Sequence, residues 1–309
     1  MIATITLNPS LDKAVNVDGL VLEETNRGSN YMRYPGGKGI NVSRVIHELG
    51  GETVAYGFIG GFDGDILMSL LRQQGVPHDF TEIKGEIRSN FIITDLNINA
   101  QTRIDAPGPH ISPEEMDSLK NKLRNLKPRP QYAVMAGSVP PGIPSDIYRE
   151  FIIYARKQGI KTVLDADGKW LKEGIKAVPD IVKPNVHEAE QLLGIQLKDE
   201  EAIMAAVAKL IEMGIEIAAI SRGKDGMIIA NREVMLNLIP PRVEVDSTVG
   251  AGDSTIAGLV LKLSSGVNLI EAARLAVAAG TAATLTPGTE LCHRSDVDRI
   301  LPLVAVRKL

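Results

Sequence analysis

The chain has 309 residues, 44 % of them hydrophobic, and a formal net charge of −4 at pH 7. That is enough apolar content for a large buried core, and it leaves no basic footprint for nucleic acid. A single cysteine, Cys292, excludes an internal disulfide and fits a reducing cytoplasm, and the histidines show no metal-ligand spacing.

The opening residues, MIATITLNPSLDK, lack a basic start followed by an apolar stretch, so no signal peptide is expected. ATITLN (3–8) reads as the first strand, and residues 12–34 carry strand-like pieces with no helix between them. In NVSRVIHELGG, Val42, Val45, Ile46 and Leu49 recur at helical spacing, and Gly50–Gly51 ends the helix. TVAYGFIG (53–60) is strand-like, and residues 87–105 again hold strand pieces alone. In SPEEMDSLKNKL, Ser112 is the cap, Pro113 takes the first helical position and Glu115 completes a capping box. YAVMAG (132–137), KTVLDA (161–166), DIVKPN (180–185), EIAAIS (216–221) and GMIIA (226–230) read as strands, with helices over 145–158 and 200–213. The longest apolar-leaning uncharged run, LAVAAGTAATLTPGT (275–289), is too short and too rich in Thr and Gly to cross a bilayer.

Alternating strand and helix predicts an α/β fold: a Rossmann-like, mostly parallel sheet with helices on both faces. The two helix-free segments predict a small antiparallel β-sheet lid. The core is then residues 1–11, 35–86 and 106–309, and the lid is 12–34 and 87–105.

Two glycine-rich junctions stand at helix starts. In STVGAGDST (247–255), Gly250, Ala251 and Gly252 precede a helix with Ile256, Leu259, Val260 and Leu263 on one face. First-turn amides lack internal acceptors and carry partial positive charge, so small residues there allow an anion to approach them. A carboxylate beside such a nest, Asp253, can take a proton from an attacking hydroxyl. A capped helix packed against a strand explains the same stretch equally well. PGGKGINVSR (35–44) is the second junction, bringing Lys38 and Asn41. Neither fits a dinucleotide fingerprint, which Thr255 interrupts, nor a Walker A loop, because Gly37-Lys38 continues with Gly39. This argues against a nicotinamide-dependent dehydrogenase.

The chain resembles the ribokinase-like (PfkB) sugar kinase family over essentially its full length. GGKGINVSR (36–44), GSVPPG (137–142), KPNVHE (183–188), SRGKDG (221–226) and STVGAGDS (247–254) carry the resemblance through their order and spacing. TLNPSLDKAV (6–15) and Ser247 are similar to the phosphosugar branch: minor ATP-dependent 6-phosphofructokinases, 1-phosphofructokinases and tagatose-6-phosphate kinases.

The resemblance implies transfer of the ATP γ-phosphoryl group, with Mg²⁺, to a ketohexose phosphate. Fructose 6-phosphate is the leading acceptor, with fructose 1-phosphate or tagatose 6-phosphate as alternatives. A silent sugar-phosphate sensor is the alternative outside enzymes. By position, Asp253 is the implied base, with Gly250, Ala251 and Gly252 as the anion hole. Asp12, Gly37, Asn41 and Ser138 are implied to hold ketose hydroxyls, and Arg27, Lys38, Arg88 and Arg103 the substrate's own phosphate. Lys183, Asn185, Ser221, Gly223, Gly226 and Thr248 fall where the family binds nucleotide. Glu188, through water, and Asp165 are implied metal partners, although Asn185-x-x-Glu188 is also ordinary capping chemistry. A homodimer through the lid is expected, burying its sheet edge.

Overall fold

The computed structural model describes all 309 residues. The chain begins with β1 (Ile2–Thr6), β2 (Ser10–Val17), β3 (Gly28–Gly36), α1 (Lys38–Glu48), β4 (Thr53–Ile59), α2 (Gly61–Gln73) and β5 (Thr81–Glu82). It continues with β6 (Arg88–Asp95), β7 (Ala100–Ile104), α3 (Pro113–Arg124), β8 (Tyr132–Ala136), α4 (Ile147–Lys157), β9 (Lys161–Asp165), α5 (Gly168–Gly174) and β10 (Ile181–Val182). Then follow α6 (Val186–Leu193), α7 (Glu200–Glu212), β11 (Ile217–Ser221), β12 (Met227–Ala230), β13 (Met235–Ile239), α8 (Ala251–Ser264), α9 (Leu269–Ala282), α10 (Arg294–Ile300) and β14 (Ala305–Lys308).

Ten strands form the main sheet in the order β14-β13-β12-β11-β10-β9-β8-β1-β4-β5. Pairing is parallel from β11 to β5 and antiparallel from β11 to β14. Alternate residues of each central strand serve opposite faces. Ile5, Met135, Leu164 and Ala218 pack toward α3, α4 and α7, whereas Ile2, Val134, Val163 and Ala219 pack toward α1, α8 and α9. The two clusters hold 35 and 32 buried residues, so both faces are covered and the strands read as continuous apolar runs.

The second sheet is β3-β2-β6-β7. Its outer pairs are antiparallel, but the central pair β2–β6 is parallel, which departs from the expected all-antiparallel lid. The cause is topological. β2 follows β1 and β6 follows β5, and β1 and β5 point the same way, so β2 and β6 leave the core in one direction. The strongly capped α3 forms as its sequence requires: Ser112 Oγ accepts from Glu115 N, and Glu115 Oε2 accepts from Ser112 N at 2.8 Å. No helix is long and apolar enough to cross a membrane.

Candidate active site

The parallel strands β1, β8, β9, β10 and β11 end on one rim, and a cleft of about 1110 Å³ opens there beneath the second sheet. Open α/β sheets characteristically bind ligands at this edge. The cleft also receives the N-termini of α1 and α8.

At α8 the chain turns through Gly250, which sits at φ 79° and serves as the N-cap, one residue before the helix proper. That φ favours glycine, and a Cβ there would in addition lie 2.3 Å from Leu291 Cδ2, which would have to move aside. The first helical amides are open. Ala251 N reaches Thr248 O only at 3.5 Å, Gly252 N and Asp253 N have no protein acceptor, and Ser254 N is the first to find one, Gly250 O at 2.9 Å. A Cβ on Gly252 would stand 3.5 Å from Lys183 Nζ, so an ammonium adjoins these donors. Free N–H groups, a helix N-terminus and a buried lysine make a site for an oxyanion.

Asp253 projects from the first turn into the same cleft and is 6 % exposed. Asn41 Nδ2 donates to its Oδ2 at 2.8 Å. Burial pushes the carboxyl up from 3.8 to about 6; Asp165 adds to the rise, and Lys38, Asn41 and Lys183 oppose it. Its proton affinity is therefore suited to accepting a proton near neutral pH.

Asp12, on β2, is 1 % exposed and lines the cleft. Its Oδ1 accepts from Ser10 Oγ at 2.8 Å and Asn90 Nδ2 at 3.0 Å, leaving Oδ2 without a protein partner. Gly36 makes room for it, since a Cβ there would meet the carboxylate at 2.6 Å. Arg88 and Arg103, on neighbouring strands β6 and β7, both reach the cleft. Arg88 is aimed by Asn8 O at 3.2 Å and Ala106 O at 3.0 Å, and Arg103 by Asp105 Oδ1 at 2.7 Å. Neither Nη2 has a protein acceptor, so both keep donors for an anion. Gly37 and Ser138 line the same end, where Asn8 Nδ2 donates to Ser138 Oγ at 3.1 Å.

At the other end lie Lys183, Asn185, Ser221, Gly223 and Thr248. Asn185 and Glu188 form a reciprocal capping box for α6: Asn185 Oδ1 accepts from Glu188 N at 2.9 Å, and Glu188 Oε2 accepts from Asn185 N at 2.8 Å. Capping does not remove Glu188 from the cleft, because its other oxygen lies 3.8 Å from Lys38 Nζ. Lys38 also approaches Asp165 Oδ1 at 3.4 Å, so the structure sets this lysine among carboxylates at the centre of the cleft. Burial would lower its pKa, but Asp165, Glu188, Asp253 and Asp167 outweigh that and raise it.

No three His, Cys, Asp or Glu side chains converge as a metal cage. Asp165 and Glu188 are nevertheless hard oxygen donors on one wall. Such a pair fits Mg²⁺ carried mainly by phosphate oxygens and water.

Three expected residues stand elsewhere. Arg27 is exposed in the connection before β3 and does not line the cleft. Val17 pairs with Gly28, which puts Arg27 at the far tip of the hairpin, five residues or about 17 Å beyond Asp12. Gly226 also lies outside the cleft. It has φ 83° and a Cβ there would meet Leu238 O at 1.9 Å, so it serves the close approach of β12 to β13. Ala251 does not line the cleft and contributes backbone to the α8 turn. Conversely, sequence reading missed Ser10, Asn8, Asn90 and Arg44, which hydrogen-bond to residues it found.

The sequence pattern of the pfkB family carbohydrate kinases matches residues 5–296. The 1-phosphofructokinase of Borreliella burgdorferi is 37 % identical over 310 residues, covering 100 % of this chain and 99 % of the relative. The ATP-dependent 6-phosphofructokinase isozyme 2 of Mycobacterium tuberculosis is 35 % identical over 305 residues, covering 98 % and 90 %. The tagatose-6-phosphate kinase of Staphylococcus epidermidis is 36 % identical over 262 residues, covering 84 % of each. Among solved structures, phosphofructokinase-2 from Escherichia coli in complex with substrates and products superposes with a TM-score of 0.94 at 34 % identity, covering 98 % of both chains. With the open α8 amides, the poised carboxyl and these likenesses in place, the chain belongs to the PfkB family of carbohydrate kinases and is an ATP-dependent sugar kinase of the phosphofructokinase type.

Proposed function

We propose that the protein phosphorylates fructose 6-phosphate on its free primary hydroxyl, with MgATP as donor, to give fructose 1,6-bisphosphate. Asp253 takes the hydroxyl proton, the oxygen forms a bond to the γ-phosphorus, and the bond from that phosphorus to the β,γ-bridging oxygen breaks, releasing ADP. The amides of Gly252 and Asp253, with Lys183 beside them, stabilise the charge on the migrating group. Asp12, Asn41, Gly37 and Ser138 orient the ketose, and Arg88 and Arg103 hold the phosphate it already carries. Lys38, between the two ends, balances charge as the phosphoryl group passes. Thr248, Ser221, Gly223, Lys183 and Asn185 line the nucleotide's end. Asp165 and Glu188 would help to hold a Mg²⁺ ion brought in with the nucleotide, largely through water, and that ion would supply positive charge against the phosphates.

The observation that carries this reading is Asp253 at the mouth of the unpaired α8 amides, in one cleft with two lid arginines. A silent sensor has no use for a base in that place. The phosphofructokinase-2 of Escherichia coli in complex with fructose-6-phosphate, TM-score 0.92, supports the choice of acceptor. Two 1-phosphofructokinases, at 37 % and 34 % identity, favour fructose 1-phosphate as the second reading. Turnover with fructose 6-phosphate, fructose 1-phosphate and tagatose 6-phosphate in parallel tests the choice. A higher kcat/KM for either of the other two overturns it.

The lid exposes Leu22, Tyr31, Met32, Phe91, Leu96 and Ile98. We read this apolar surface as the contact between two copies, giving a cytoplasmic homodimer. A monomer at micromolar concentration in light scattering would overturn that assembly.

A further inference from the structure

Arg44 is 7 % exposed, and no step above uses it. Its guanidinium ties together four parts of the chain. Nε donates to Gln74 Oε1 at 2.9 Å, Nη1 to Pro35 O at 3.2 Å, Thr289 O at 2.9 Å and Asn41 Oδ1 at 3.3 Å, and Nη2 to Glu290 O at 3.3 Å. Burial pulls the group down to about 10, against Asp12, Tyr34, Glu290 and Asp253, so it remains charged at neutral pH.

A guanidinium only donates, whereas a side-chain amide donates at one end and accepts at the other. Arg44 stands one helical turn from Asn41 on α1, so its N–H draws the amide oxygen toward itself. The amide nitrogen must then face Asp253. With the amide reversed, its oxygen would meet the carboxylate and repel the charged base.

We propose that Arg44 is a positioning residue for phosphoryl transfer: it fixes the orientation of Asn41, which in turn aims Asp253 and leaves the second carboxylate oxygen for the acceptor hydroxyl. The inference rests on Asp253 being the base. Through Pro35 O and the carbonyls of Thr289 and Glu290, the same guanidinium joins this alignment to the end of lid strand β3 and to the loop before α10.

The test is a double-mutant cycle on the intact enzyme, at saturating ATP and sugar phosphate, with Arg44→Met, Asn41→Ala and their combination. Arg44→Met is expected to lower kcat about 10- to 100-fold with little change in the KM for ATP, and to add almost nothing in the Asn41→Ala background. A merely structural arginine gives losses that multiply, and that result overturns the proposal, as does an unchanged kcat. Should Arg44→Met give no cooperative melt, Arg44→Lys replaces it. Its ammonium keeps the charge but cannot reach Asn41 and the three carbonyls together, so a kcat loss absent in the Asn41→Ala background is again expected. Asp253→Asn run beside the cycle separates the two ideas. Normal turnover there removes the base itself, whereas a slow Asp253→Asn with multiplicative Arg44 losses removes only the positioning role.

Discussion

Asn41 and Asp253, 212 residues apart in sequence, meet at 2.8 Å through the amide nitrogen of one and Oδ2 of the other. The contact joins the two glycine junctions, at the starts of α1 and α8, into one site. It makes Asp253 the group whose chemistry is most open to trial. Asp253→Asn keeps the shape and the neighbour but cannot accept a proton. Its kcat is expected to fall about 10²- to 10⁴-fold, while ATP binding by calorimetry stays near that of the unaltered enzyme. Near-normal turnover would remove the base.

The same carboxyl sets an acid limb. Its folded pKa is raised to about 6, and the charged form is the one that works, so kcat/KM falls as pH drops through that value. Stability follows with the opposite sense. Between 3.8 and about 6 the folded chain holds this proton and the unfolded chain does not, so the group's contribution declines as pH rises through that window. Asp253→Asn removes the cost of a buried charge and is expected to stabilise the ligand-free protein at pH 7, by on the order of 1–3 kcal/mol. The gain should vanish toward pH 4. Denaturant melts at both pH values decide this, and equal gains at both would contradict it.

Arg88 and Arg103 carry a separable task. Each lines the cleft, is fixed by a protein oxygen at Nε and keeps Nη2 unpaired. Replacing either with Ala is expected to cost about 1.5–3 kcal/mol of sugar-phosphate binding, read as a KM raised about 10- to 100-fold. The KM for ATP should hardly move. An equal rise in both constants would point instead to a collapsed lid.

How legible this site was from the chain alone depended on the range of the interactions. Gly250–Asp253 and Gly37–Asn41 declared themselves because anion cradles are local, built from consecutive small residues at a helix start. Asn8, Asn90 and Arg44 gave no such signal. Asn8 bonds Ser138 and Asn90 bonds Asp12, over 130 and 78 residues, and Arg44 reaches Thr289 over 245, so their roles exist only after folding. Gly226 stands off the cleft for a related reason: a positive φ serves a strand crossing as readily as a nucleotide, and here the closeness of Leu238 O accounts for it. Arg27 stands off this cleft because hairpin register, invisible in composition, carries it to the far tip of the lid. The parallel β2–β6 pair was hidden because its partners are separated by the whole first βαβ unit.

The two glycines after β11 provide a contrast in stability. Gly223 has open space where a Cβ would go, whereas at Gly226 it would meet Leu238 O at 1.9 Å. Both have positive φ, so each Ala variant carries strain, but only the second adds a backbone collision. Gly226→Ala is expected to lose on the order of 2–4 kcal/mol, and Gly223→Ala about 1 kcal/mol. Since Gly226 stands off the cleft, the folded fraction of Gly226→Ala should keep the KM for ATP. A large selective change in that constant would return Gly226 to the nucleotide site.

Glu188 separates capping from metal handling, because the two tasks use different chemistry of one side chain. The cap needs only an oxygen that accepts from Asn185 N, and a glutamine supplies it. Help to a divalent cation needs the negative charge on the wall it shares with Asp165. Glu188→Gln should therefore melt within about 0.5 kcal/mol of the unaltered protein, yet require more Mg²⁺ for half-maximal rate and lose about 10-fold or more in kcat. Raising Mg²⁺ should recover part of the loss. If instead the variant melts early and its Mg²⁺ dependence is unchanged, the carboxylate serves α6 alone, and the cation would depend on Asp165 and the nucleotide's own oxygens.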